Sequence, residues 1–163
     1  MMEYPYGGFW RRAVAAVIDQ VILVCLYTLL FVLGALAGLS GFAALSYPVE
    51  TDAMVRGTAG IALLYQAFCM LLNMGYFTYF HGTMGQTPGK MAMGLKVTQA
   101  SGEEMTPGLA FLRWVGYIVS ALFLLLGYIW IAFDPRKQGW HDKIAGTVVI
   151  RKKQKTLDKA MEI

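Results

Sequence analysis

Charge is what this sequence is shortest of. Only 15% of its 163 residues are Asp, Glu, Lys or Arg and 57% are apolar, against about 25% and about 45–50% in a typical soluble domain. The length suits one domain. The scarcity is local as well as global, because residues 57–80 and 114–133 hold no charged side chain and residues 13–38 hold one, Asp19. This excludes an ordinary water-soluble fold and implies an integral membrane protein. Cysteine is scarce too. Cys25 and Cys69 fall inside apolar runs and read as small buried hydrophobes, with no disulfide framework or metal cluster to build on.

What charge there is collects at the C-terminal end. Eight Lys or Arg follow Asp134, including Arg151, Lys152, Lys153 and Lys155, and they supply most of the net charge of +4. Beside apolar spans such a tail marks the cytoplasmic face or meets anionic lipid. No motif points to nucleic acid. A secretory leader is a competing explanation for Arg11 and Arg12 ahead of an apolar run. Its apolar region spans about 7–15 residues, whereas residues 13–38 run longer and carry Asp19, which favours an uncleaved anchor.

Each of the three apolar runs reaches the roughly 20 helical residues that a bilayer core of about 30 Å requires. Aromatic residues sit at their ends, with Trp10 before the first, Tyr76 and Tyr79 closing the second, and Trp114 and Trp130 bracketing the third, as interfacial belts require. The expected fold is all-α membrane, with about three membrane helices and a small cytoplasmic strand pair. The strands are Gly94-Leu95-Lys96-Val97-Thr98 and Thr147-Val148-Val149-Ile150, with a turn at Ser101-Gly102 and a helix start at Thr106-Pro107.

Topology rules then conflict. Residues 39–56 carry two acids and one base, which suits the outside and places the N-terminus in the cytoplasm. Three full crossings would leave the basic tail outside, against the positive-inside bias. Either residues 114–133 cross once, or they are re-entrant, broken near Leu126-Gly127 and shielded by protein. Length favours crossing. Charge and the chance to pair the two strands favour return, and the balance goes to a cytoplasmic tail.

Asp19 is the most informative residue. It lies about 9 Å below the start of its span, where an exposed charge is costly, so it must face protein or water. Arg12, seven residues earlier, is on the same face about 10 Å away, near enough for a partial or water-bridged contact. The bland reading is a topological arginine with an aspartate locking helices together; the functional one is a cation or proton site. Gln66 and Asn73 share a face of the second span and are candidate donors to Asp19. Gly34, Gly38, Gly57, Gly60 and Gly75 are candidate close-packing positions. His141-Asp142 suggests a metal or acid–base pair, but on spacing alone an interfacial loop anchored by Trp140, with Asp142 capping a turn, is the better explanation. His81 stands where the second span meets water, with nothing nearby to make it a ligand. Gln86-Thr87-Pro88-Gly89-Lys90 is a compact turn. It lacks the long glycine-rich run and the Ser or Thr after lysine that a phosphate loop needs.

Together these runs resemble the RDD family of membrane proteins, named for one arginine and two aspartates. Arg12-Ala13-Val14-Ala15-Ala16-Val17-Ile18-Asp19 is similar to its opening signature. Gln86-Thr87-Pro88-Gly89-Lys90 with Gly94-Leu95-Lys96-Val97 is similar to its cytoplasmic connector, and Gln138-Gly139-Trp140-His141-Asp142-Lys143-Ile144-Ala145-Gly146-Thr147 to its C-terminal signature. The resemblance implies one domain over residues 6–150, followed by a basic flexible tail over 151–163. It maps the named residues onto Arg12, Asp19 and Asp142, with Asp134 as a second candidate for the last. It also raises the standing of His141, and implies secondary transport, including sodium/proton antiport.

Two functions follow as expectations. The first is a transporter of monovalent cations and protons, working as a homo-oligomer because three spans are few to enclose a path. Asp19 would bind the ion, Arg12 adjust it, and Asp142 stand at the cytoplasmic mouth, with Thr87, Gly89 and Lys90 as structural support. The second is a non-catalytic subunit or scaffold for a partner membrane protein. No nucleophile–base pair or ligand cluster suggests an enzyme, a cofactor or a metal. The expected location is a bacterial inner membrane.

Overall fold

The computed structural model describes residues 5–43 and 51–152, with the backbone alone for residues 39–43 and 51–55. Two long helices come first, α1 (Phe9–Ala43) and α2 (Thr51–Met84). They extend further than the apolar runs, so Ser40 and Gly41, expected in a loop, are helical. Pro48 and Glu50 of that loop lie outside the described residues, as do residues 153–163 of the tail. Then follow α3 (Pro88–Ala92), β1 (Leu95–Gln99), α4 (Pro107–Leu122), α5 (Leu126–Ile129, running into a 3-10 turn), α6 (Trp140–Ile144) and β2 (Thr147–Arg151).

Local chemistry sets the short elements. Thr87 and Thr106 are extended N-caps whose hydroxyls accept from the amides of Lys90 and Leu109, and each is followed by a proline at the first helical position. Proline there loses nothing, since that amide has no helical partner.

Residues 20–73 form one compact unit, and residues 1–19 with 74–163 another. In the first, the Tyr65 hydroxyl donates to the Tyr27 carbonyl at 2.7 Å and the Tyr27 hydroxyl to the Cys69 carbonyl at 3.3 Å. Most other side chains point outward, as expected of helices bathed in lipid. Cys69 is buried, but Cys25 is exposed, contrary to the sequence reading. Gly34, Gly38, Gly57, Gly60 and Gly75 meet nothing where a Cβ would stand. Among the described residues they are therefore not close-packing positions.

The second unit holds the polar core. β1 and β2 pair antiparallel, with Lys96 opposite Ile150 and Val97 opposite Val149. The N-terminal segment extends this sheet: Tyr6 bridges Ile150, and the Gly7 amide donates to the Val149 carbonyl at 2.8 Å. Ala15, Leu95, Val97, Met105, Ala110 and Val149 make the apolar cluster beneath.

The chain belongs in a membrane. The helical stretches Phe9–Gly38 and Arg56–Met84 are long and apolar enough to cross, and the third segment is bent by 112° between Pro107–Leu122 and Leu126–Ala132. The break falls at residues 123–125, slightly earlier than expected, and there Leu124 and Leu125 take positive φ of 50° and 63°. Left-handed backbone costs such residues about 1–2 kcal/mol each, so packing must hold the bend. Gly127 does so, since a Cβ there would lie 2.5 Å from the Ser120 hydroxyl of α4. β1 precedes this segment and β2 follows it, yet the two are hydrogen-bonded neighbours. The third segment therefore returns to the face it left, and the sheet joins Tyr6 to β2 on that face.

Candidate functional site

Arg12, Asp19, His141 and Asp142, read from the sequence as site residues, all come together in the second unit, as do Thr87, Gly89 and Lys90. They form two linked arrangements.

The first surrounds Asp19, which is fully buried. Its carboxylate accepts from the Tyr76 hydroxyl at 2.9 Å, the Thr87 hydroxyl at 2.5 Å and the Gly89 amide at 2.7 Å. Thr87 thus uses one oxygen twice, donating to Asp19 and accepting from Lys90 N–H at 3.3 Å. Gly89 is required by contact: a Cβ there would stand 2.1 Å from the Ala15 carbonyl oxygen and 2.9 Å from the Asp19 carboxyl. The connector turn is therefore seated directly on α1. Gln66 is exposed and Asn73 partly buried; the donors that reach Asp19 are Tyr76, Thr87 and Gly89.

The second surrounds Asp142, also fully buried, which is ion-paired with both Arg12 and Arg113. It accepts the Gly139 amide at 2.8 Å as well, capping α6. The capping and the charged roles, posed as alternatives, are thus filled together. Arg12 reaches Asp142 and the Lys137 carbonyl (2.6 Å). This corrects the expectation that it acts on Asp19. Arg113 donates through Nη1 to Thr147 Oγ1 at 2.5 Å and through Nε to the Tyr117 hydroxyl at 3.1 Å. Asp134 stands apart, pairing with Lys143 and accepting the Arg136 amide at 2.9 Å.

His141 lies with Nε2 at 3.1 Å from Arg12 Nη2 and Nδ1 at 3.5 Å from Ser120 Oγ. A guanidinium only donates, so Nε2 is the bare nitrogen and the proton sits on Nδ1. Burial lowers the His141 pKa far below its ordinary value; Asp142 opposes this, while Arg113, Arg12 and Lys90 add to it. For Asp142, burial alone would raise the carboxyl, but Arg113, Arg12 and His141 outweigh it and hold the group far below the carboxylate range. Burial also lowers Lys90, with Tyr117 and Asp19 opposing. Close glycine contacts seat these groups: a Cβ on Gly116 would be 2.7 Å from His141 Cα, and one on Gly139 2.6 Å from His141 Cε1.

His81 is the clearest departure from the sequence reading. It is fully buried, not at the water boundary. Its ring stacks on Phe77 at 5.9 Å and lies 6.3 Å from Tyr117. Arg113 and Tyr117 were not read from the sequence as site residues, and Tyr76 was read only as part of an interfacial belt. For Arg113 the signal was present, since it is the lone charge of α4, the same argument that picked out Asp19.

The RDD family model matches residues 6–146, which include both arrangements. The chain belongs to the RDD family. The protein is 32% identical over 153 residues to "Uncharacterized protein YxaI" of Bacillus subtilis, covering 93% of this chain and all of that one. It is 31% identical to "Uncharacterized membrane protein YteJ" of the same organism, covering 94% of this chain and 85% of that one. No solved structure matches. Within this RDD chain the three residues that the sequence resemblance maps onto the family name do not form one triad. Arg12 and the second aspartate, Asp142, are ion-paired, while the first, Asp19, holds the connector.

Proposed function

We propose that this RDD protein is a subunit of a secondary transporter for a small charged solute, exchanged against protons or monovalent cations, and is not an enzyme. The observation that carries the reading is the set of charged side chains buried among the described residues of so small a membrane chain: Arg12, Lys90 and Arg113 with Asp19, Asp134 and Asp142. Buried ion pairs are weak sources of stability, and charges at membrane depth commonly mark a pathway. The outward-facing spans, including exposed Gln20 and Gln66, suit a homo-oligomer or a partner membrane protein, because exposed amides in lipid find hydrogen bonds across helices. Lys96 lies on β1 and Lys152 directly follows β2, and the positive-inside bias assigns their face to the cytoplasm. The host membrane is then the bacterial plasma membrane.

A second reading is a structural or regulatory subunit. It is favoured by Asp19, whose three neighbours all donate and so form a seat for a carboxylate, not an acceptor shell for a sodium ion.

Purified protein in sealed liposomes with an internal pH dye separates the two. Transport predicts proton flux driven by a sodium, potassium or anion gradient, reduced at least tenfold in Lys90→Met. No flux under any of these gradients, from protein that keeps its particle size, would establish the subunit reading instead.

A further inference from the structure

We propose that Lys90, His81 and Arg113 form a buried receptor for a small free anion of the chloride or formate class, beside the Arg12–Asp142–Arg113 ion pairs. Lys90 is 6% exposed, yet its Nζ makes no hydrogen bond or ion pair among the described residues. Its counter-charge is not supplied by the carboxylates nearest in the core. Asp142 is shared by Arg12 and Arg113, and Asp19 is enclosed by Tyr76, Thr87 and Gly89. The third buried carboxylate, Asp134, is paired with Lys143, so among the described residues Arg12, Lys90 and Arg113 stand against Asp19 and Asp142, and one positive charge is left over.

Unused hydrogen-bonding capacity lies in the same compact unit as this lysine. Arg113 Nη2, both ring nitrogens of His81 and Thr78 Oγ1 are buried without a hydrogen-bond partner. Arg113 Nε donates to the Tyr117 hydroxyl at 3.1 Å and the Tyr117 ring lies 6.3 Å from His81, which brings Arg113 and His81 to one ring; the Lys90 charge acts on both. Buried donors left unmade are costly, and a buried cation needs a partner or must lose its proton. The Phe77 and Tyr117 rings flank His81 and leave little room for a large ligand. An ammonium, a spare guanidinium N–H group, an imidazole and a hydroxyl offer mainly donors, so the ligand that satisfies them is a compact anion and not a metal cation. Full burial of His81 favours a free ion over a lipid phosphate.

The site does not depend on the transport reading, because binding is measured without a gradient. Full-length protein in nonionic detergent is titrated with chloride, at ionic strength held by gluconate, while the 35Cl linewidth is followed by NMR. The proposal predicts saturable excess broadening that formate displaces. Lys90→Met should abolish it and His81→Phe reduce it several-fold, while exposed Lys143→Met leaves it unchanged. If Lys90→Met loses its wild-type elution volume, His81→Phe carries the comparison. Broadening that does not saturate, or that is equal in wild type and in whichever of these variants stays folded, would overturn the proposal. That result is also the one expected if Lys90 is simply neutral.

Discussion

Asp142 is held between Arg12 of α1 and Arg113 of α4, residues far apart in sequence that meet on one buried carboxylate. This clamp joins the start of the first span to the re-entrant third segment. Asp142→Asn should therefore destabilise the fold by about 3–5 kcal/mol, the usual cost of leaving buried charges unpaired. Arg12→Met alone should cost less, since Arg113 still neutralises Asp142. Thermal unfolding in detergent, with the Arg12→Met/Asp142→Asn pair as a double-mutant cycle, measures the coupling.

Gly89→Ala should cost at least about 3 kcal/mol, because its Cβ would meet the Ala15 backbone and cannot be absorbed by a side-chain shift. Gly34→Ala, with nothing nearby, should be neutral or slightly stabilising. Comparing folded yield and melting temperature of the two variants checks the seat of the connector.

Acid sensitivity should come in two stages. The native pKa of His141 lies far below its ordinary value near 6.5, so the unfolded chain takes up the proton first and stability falls as pH drops below about 6.5. The native pKa of Asp142 is depressed. Its stabilisation is complete above the ordinary carboxylate value of about 3.9 and is lost as pH falls through the native value. Melting temperatures from pH 7 to 5 should therefore decline in the wild type and decline less in His141→Gln. An equal slope in both would contradict the assignment of a neutral His141.

Much of this was legible in the sequence for physical reasons. Uncharged runs longer than a bilayer core fix the spans, and the β-branched stretch at Thr147-Val148-Val149-Ile150 marks a strand. Asp19 had to be buried because lipid leaves a carboxylate no other choice. Partners were not legible. The seven-residue spacing of Arg12 and Asp19 puts both on one helix face, but Arg12 points toward groups 125 or more positions away. The glycines of the long spans looked like packing positions by type. Those that matter, Gly89, Gly116, Gly127 and Gly139, are defined by what lies opposite them, and periodicity within one helix does not report that. His81 was misplaced for a similar reason, because the end of an apolar run coincides with water only where no other element covers it.

The gathering of all these groups on one face rests on the return of the third segment, and a disulfide across the sheet tests it most directly. Lys96 and Ile150 are partners in register on β1 and β2, where antiparallel Cα atoms stand about 4.5–5.5 Å apart, within disulfide reach. Lys96→Cys with Ile150→Cys, in a background of Cys25→Ala and Cys69→Ala, should cross-link on mild oxidation in native membranes, shifting mobility on a non-reducing gel. Lys96→Cys with Leu124→Cys, at the bend of the third segment, should not. If the segment crossed the membrane once, the two strands would be separated by about 30 Å of hydrocarbon. No intramolecular cross-link from the first pair would then form, and that result would contradict the account.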